Sequence, residues 1–211
     1  YSAERRLAVL KPLKVVIDNF PEGKIEWLPA LNKPNSDKQE QREIPFSREI
    51  WIEQDDFMEE PLKKFFRLAP GKEVRLRYAF FVTCNAVIKD EDGEIVELRC
   101  SYDPETRGGN APDGRKVKGT IHWVSAEHAK DAEVRIYNSF YDTPSPGRER
   151  DFIEDINPNS LEVLENCKIE PDLIALDDNV PIQFERLGYF YKDSDTTPEK
   201  HIYNRTISLR D

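Results

Sequence analysis

Histidine, cysteine and paired carboxylates are the residues that most often carry catalysis, and here their spacing supports none. The three histidines, His122, His128 and His201, are far apart. None falls in an HExxH segment or beside a cysteine, so neither a zinc site nor a nucleophile–base pair is indicated. His122, next to Trp123 in a strand-like run, reads as a hydrogen-bonded structural residue. Cys84, Cys100 and Cys167 are an odd number with no CxxC pair, which argues against a disulfide framework or a structural zinc and for reduced, partly buried thiols. No GxGxxG or GxxxxGK[ST] segment offers a phosphate cradle. The acidic Asp90-Glu91-Asp92-Gly93 lacks EF-hand spacing and reads as a hairpin turn. Asp55 and Asp56 read as a helix start, with anions at the positive end of the dipole. Nothing singles out a catalytic pair among the 41 acidic residues.

The basic residues are more informative. Lys63, Lys64, Arg67, Lys72, Arg75 and Arg77 cluster between two acidic stretches, with Phe65, Phe66 and Tyr78 interleaved. Further along, Gln183 and Arg186 flank Phe184 in QFER, shortly before Tyr189, Phe190 and Tyr191. Guanidinium forks and carboxamides hydrogen-bond the edges of unpaired bases, and aromatic rings stack on their faces. That combination suits single-stranded RNA. On spacing alone, solvated strand faces around an aromatic core are the favoured reading.

The elements that must position these residues read as β-structure. Runs at 13–20, 24–31 and 44–54 are β-branched or apolar, and residues 73–82 alternate Val74, Leu76 and Tyr78 against Arg75, Arg77 and Ala79. The run GEIVELRCSY follows Asp92-Gly93, a hairpin signal. A two-residue turn there would put Cys84 opposite Ser101; one more loop residue would put it opposite Cys100. Residues 103–116 read as a long loop, and 103–114 as dispensable for folding because they lack apolar periodicity. Further strands are expected at 117–125, 132–140, 160–170, 180–193 and 201–209. Many short strands with turn signals about every ten residues predict a mainly β protein of two small antiparallel barrels with few short helices. One barrel is expected to hold residues 42–125, and the other 1–41 plus 126–211.

The 211 residues carry a formal net charge of −10, which excludes a generally basic coat but leaves room for a local basic groove. With 10% aromatics the chain is too apolar for a disordered one. No apolar run approaches the roughly 20 residues needed to span a bilayer. The opening at Tyr1, without Met, fits an excised fragment.

Several runs together resemble the C-terminal region of glutaminyl-tRNA synthetases: PLKVVIDNFPEG, REIPFSREIWIEQDDFMEE, RLAPGKEVRLRYA, DPETRGGNAPDGRKVKGTIHWVSA, FERLGYF and YNRTISLRD. The likeness runs from about residue 5 to the end. It implies the anticodon-binding part of a class I aminoacyl-tRNA synthetase, with two barrels of a kind also seen in a ribosomal protein that binds 5S rRNA. It further implies a cytoplasmic location and two partners, the anticodon loop of tRNA(Gln) and an N-terminal catalytic domain of the same polypeptide. Neither membrane nor DNA is expected as a partner. The family's HIGH-like and KMSKS-like sequences are not in these residues. ATP and magnesium are therefore expected in that other domain, no cofactor, metal or catalytic residue here, and no glutaminylation by this chain alone.

Carried over by position, the resemblance implies that Arg5, Gln183 and Arg186 meet the middle anticodon base, Arg67 the third and Arg75 the first, with Asn32 from the family's NKP and Lys64 also in the site. Lys64 and Phe66 depart from relatives that carry Gln and Lys there. A related glutamyl-tRNA synthetase and a free-standing rRNA-binding barrel protein are the alternatives. The resemblance also implies that Arg5, Arg67, Arg75, Gln183 and Arg186 converge on one groove between the barrels.

Overall fold

The computed structural model describes residues 3–34 and 36–209; Tyr1, Ser2, Asn35, Arg210 and Asp211 lie outside them. The protein is mainly β, with two barrel-like sheets. Among the described residues the only helical segments are four short 3-10 turns.

The first sheet has seven strands in the order Thr120–Ile121, Glu73–Leu76, Phe81–Lys89, Ile95–Asp103, Pro12–Ile17, Glu49–Glu53 and Val124–Ser125. A separate hairpin, Glu26–Leu31 with Gln41–Phe46, adds Leu28, Ala30, Ile44 and Phe46 to the same core. There Phe46 meets Phe20 and Trp123 edge-on at 5.1 and 5.0 Å, a favoured geometry for ring quadrupoles. Residues 12–31, expected in the other barrel, thus belong here. Pro12–Ile17 lies between Glu49–Glu53 and Ile95–Asp103, with Leu13, Val15 and Ile17 buried on one face and Lys14 paired with Glu49 on the other.

The second sheet runs Glu4–Arg6, Ile182–Phe184, Gly188–Lys192, His201–Ser208, Lys130–Tyr137, Leu161–Ile169 and Ala8–Val9. Its two edge strands are separated in sequence by Leu7 alone, so the sheet curls round on itself. Phe184, Phe190 and Tyr203 fill its interior, with Phe184 and Phe190 stacked at 4.1 Å. Four strand pairs run parallel, without crossover helices: Glu4–Arg6 with Ile182–Phe184, Glu73–Leu76 with Thr120–Ile121, Pro12–Ile17 with Ile95–Asp103, and Lys130–Tyr137 with His201–Ser208.

One strand reading and one loop reading are corrected, and the open register at Cys84 is settled. The alternating run 73–82 is not one strand: it turns at Tyr78, whose φ is 65°, and Glu73–Leu76 pairs back on Phe81–Lys89. No glycine or asparagine marks that turn; buried Ala79 and Phe80 hold it. In the next hairpin Asp90 Oδ1 accepts from the N–H groups of Asp92 and Glu94. Two bulges along the strands offset one another, and Cys84 faces Cys100, one of the two registers the sequence left open. Both thiols are free and buried. The loop after Asp103 is built in, because buried Thr106 accepts the Phe81 N–H at 2.8 Å.

The two sheets are joined by buried charge. Glu170 accepts two hydrogen bonds from Arg42, Nε to Oε1 at 2.8 Å and Nη2 to Oε2 at 2.9 Å, and Arg6 Nε stands 3.3 Å from Oε1. Burial raises the Glu170 carboxyl, and the charges of Arg42 and Arg6 oppose it. Asn32 Oδ1 accepts from Arg6 and Arg42 at 3.3 and 3.2 Å. Nearby, Glu53 receives the N–H groups of Leu10 and Lys11, where the chain passes from one sheet to the other.

Removing one member of a buried ion cluster leaves an uncompensated charge, at a cost of about 3–5 kcal/mol. Glu170→Ala should lower the free energy of denaturant unfolding by that amount, measured against Glu165→Ala, at an exposed position of the strand Leu161–Ile169 that ends just before Glu170. Acidity should act in the same sense. Burial raises the Glu4 carboxyl, but hydrogen bonds from Lys33 and Arg6 outweigh it and hold the group below its ordinary 4.5. Glu4 therefore contributes stability that is complete above that value and lost as pH falls through the lower folded one. Glu4→Gln should flatten the acid limb of a pH–stability curve.

Candidate nucleic-acid interface

The seam between the sheets collects most of the residues singled out in the sequence. At its centre is Asp56, the last residue of the 3-10 turn Gln54–Asp56 and almost wholly buried. Arg186 donates to it twice, Nη1 to Oδ2 at 2.5 Å and Nη2 to Oδ1 at 2.7 Å, while Arg67 Nε lies 3.4 Å from Oδ1. Two guanidiniums from different sheets thus share one carboxylate. Arg67 is further held by the Asp55 carbonyl at 2.8 Å. His122 Nδ1 stands 3.1 Å from Arg186 Nη1, which can only donate, so its ring proton lies on Nε2, toward Glu53 at 3.4 Å. These groups enclose a cavity of about 50 Å³.

Beside it is a second constellation. Arg5 and Gln183 are partners across the parallel strand pair, and Arg5 Nε donates to Gln183 Oε1 at 3.1 Å. The carboxamide oxygen is thereby committed, and the two N–H donors are the part of Gln183 not engaged by Arg5. Glu185 draws three groups together: Tyr78 donates to it at 2.9 Å, Arg77 Nη2 lies at 3.5 Å and Arg5 Nη1 at 3.8 Å. The two constellations are adjacent because Glu185 and Arg186 are consecutive. Arg186 (φ 68°) and Tyr78 are two of three non-glycine residues with positive φ among the described residues, so both sides of the seam hold strained backbone. Burial raises the Tyr78 hydroxyl and the Glu185 charge adds to it, so that the phenol is a firm donor.

Arg75 lies on a different wall. Its guanidinium sits over Phe81 at 5.4 Å, and Gly109 packs so closely on it that a Cβ there would come within 2.8 Å of Arg75 Cδ. Its Nε is buried without a hydrogen-bond partner. Lys64 is exposed in the segment 61–67. Asn32 belongs to the Arg6–Glu170–Arg42 cluster, not to the seam's open face. Arg5 and Gln183 are thus in contact, Arg67 and Arg186 share Asp56, and the two pairs meet at the consecutive residues Glu185 and Arg186. Arg75 and Lys64 lie on other segments, while the Asn32 carbonyl accepts the Arg5 N–H at 2.8 Å. Sequence reasoning did not pick out Asp56 or Glu185 as organisers. For Glu185 the available signal was its place between Gln183 and Arg186; Asp56 had none, since its partner Arg186 lies 130 residues away.

Comparison with known proteins agrees with this geometry. The family described as "tRNA synthetases class I (E and Q), anti-codon binding domain" matches twice, over residues 3–103 and 120–193. The chain is 60% identical over 210 residues to the glutamine–tRNA ligase of Bradyrhizobium diazoefficiens, covering all of this chain and 38% of that protein. It is 51% identical to the glutamine–tRNA ligase of Aliivibrio fischeri, covering all of this chain and 38% of that one. It is 47% identical to that of Clostridium kluyveri, with 99% of this chain and 38% of that protein covered. The chain belongs to the family of anticodon-binding domains of class I tRNA synthetases of the E and Q type. It spans about 38% of the length of these relatives.

Hydrogen bonds to a charged partner contribute about 1.5–3 kcal/mol each, and Asp56 receives two from Arg186 alone. Because both guanidiniums keep some exposure, Asp56→Asn should destabilise by about 2 kcal/mol in chemical denaturation. Arg67→Ala should cost less than Arg186→Ala, since its contact with Asp56 is longer.

Proposed function

We propose that this chain is the anticodon-binding region of a glutamine–tRNA ligase and that it recognises the anticodon loop of tRNA(Gln). The observation that supports this most directly is the seam, where Arg5, Arg67 and the neighbouring pair Gln183 and Arg186, from three distant segments, gather around Glu185 and Asp56. Forked guanidiniums and a carboxamide offer the donors that the Watson–Crick edge of a splayed base requires. Gln183 carries no charge, so its contribution is base recognition. The arginines add attraction for phosphate. Half-buried Arg75 and exposed Lys64 complete the positive surface. Asn32 acts behind that surface by orienting Arg6 and Arg42.

Glutaminylation itself, with ATP and magnesium, belongs on this reading to the further part of the polypeptide that the relatives carry, and the location is cytoplasmic. No described helix is long and apolar enough to cross a membrane. The chain alone should give no glutamine-dependent ATP–pyrophosphate exchange; exchange above background in a preparation free of full-length enzyme would overturn that assignment.

Binding to anticodon stem-loops tests the reading. Gln183→Ala should cost about 1–3 kcal/mol against the cognate loop, and much less once the middle base is changed, with little effect on salt dependence. Arg75→Ala should also weaken binding and lower the salt slope by about one unit. Equal loss on both RNAs for Gln183→Ala would show that the side chain serves only the strand pair. Preference for a glutamate anticodon would favour the glutamyl branch.

A further inference from the structure

The segment 61–67 places large apolar side chains in water beside cations. Leu62 is 73% exposed and Phe66 52% exposed, while Phe65 is half-buried with the Arg67 guanidinium 5.9 Å from its ring. Phe66 does not sit there by slack. Gly119 lies directly against its backbone, where a Cβ would come within 1.9 Å of the Phe66 carbonyl oxygen. Hydrogen bonds from Phe65 N–H to the Leu62 carbonyl and from Leu68 N–H to the Asp56 carbonyl fix the chain on either side. The ring already holds one cation, the Lys118 ammonium at 4.9 Å.

These residues line a groove of about 360 Å³, with Lys63, Lys72, Lys118 and Arg67 around an apolar floor. Its one carboxylate, Glu73, has both oxygens occupied by Arg115 at 3.0 Å, so its charge is compensated. A rigid aromatic face under a basic rim fits an occupant that is flat, apolar on its face and anionic at its edge. An unpaired nucleobase with its phosphate has that chemistry. The groove is also continuous with the seam through Arg67, which lines both hollows.

We infer that Phe66 is a stacking platform for one unpaired base of the bound RNA loop, with Lys63, Lys72 and Lys118 around the adjoining phosphate. This rests on the proposed anticodon reading and extends it to a residue that makes no hydrogen bond to a base edge. Stacking tolerates any base, so Phe66 contributes affinity and leaves discrimination to the seam.

The test uses the 211-residue chain and anticodon stem-loops that are intact or abasic at one loop position at a time. Phe66→Ala should weaken binding to the intact loop by roughly ten-fold or more, with thermal unfolding unchanged because the ring is exposed. Phe66→Tyr should retain wild-type affinity. The loss should vanish with RNA abasic at one position and persist with the others. Equal binding by wild type and Phe66→Ala, while Gln183→Ala still weakens binding, would overturn the platform alone. A loss of the same size on every abasic RNA would overturn it too. Failure of the wild-type chain to bind any stem-loop would overturn both readings.

Discussion

One buried carboxylate, Glu170, holds the two halves of the molecule in register. It follows the last residue of Leu161–Ile169 in one sheet and is gripped by Arg42 from the hairpin on the other, with Arg6 from an edge strand beside it. Desolvating such groups is expensive, and an apolar joint would hold at least as well. What the ions add is geometry. A forked guanidinium on a carboxylate has one good orientation, whereas packed methyl groups slide. A surface assembled from Arg5 and Gln183 on one side and Arg67 on the other works only if that orientation is fixed.

The same logic explains how an acidic protein presents a place for a polyanion. The arginines of the seam are each held by a carboxylate, Asp56 or Glu185, and the net charge of −10 surrounds them. Such pairing immobilises the guanidiniums and mutes their long-range field. Non-specific attraction to phosphate is thereby kept low, and binding depends on the groups that fit.

Much of this was legible in the letters. The mainly β class followed from short alternating runs and turn residues, and Arg5, Gln183, Arg67 and Arg186 were named before their contacts were known. The failures share a cause. The turn at Tyr78 has no glycine, because burial of Ala79 and Phe80 overrides the local preference of the backbone. The place of residues 12–17 was misjudged because an apolar run shows that a strand is buried but not between which neighbours. Thr106 falls in a run that reads as a dispensable loop, and Asn32 was given only as a site residue by the resemblance, although each satisfies donors from other segments. Side-chain partnerships between separate segments leave no periodicity to read.

The edge strands Glu4–Arg6 and Ala8–Val9 close the second sheet from both sides, yet their partners Ile182–Phe184 and Leu161–Ile169 come some 150 or more residues later in the chain. The first sheet draws on residues 12–125 alone. During synthesis it can therefore assemble while the opening segment still lacks anything to pair with. The second sheet must wait for nearly the whole chain, with the large loop-closure entropy that slows such contacts. Its first and last strands meet at the end of folding, and the ionic seam, which needs both sheets, is laid down last.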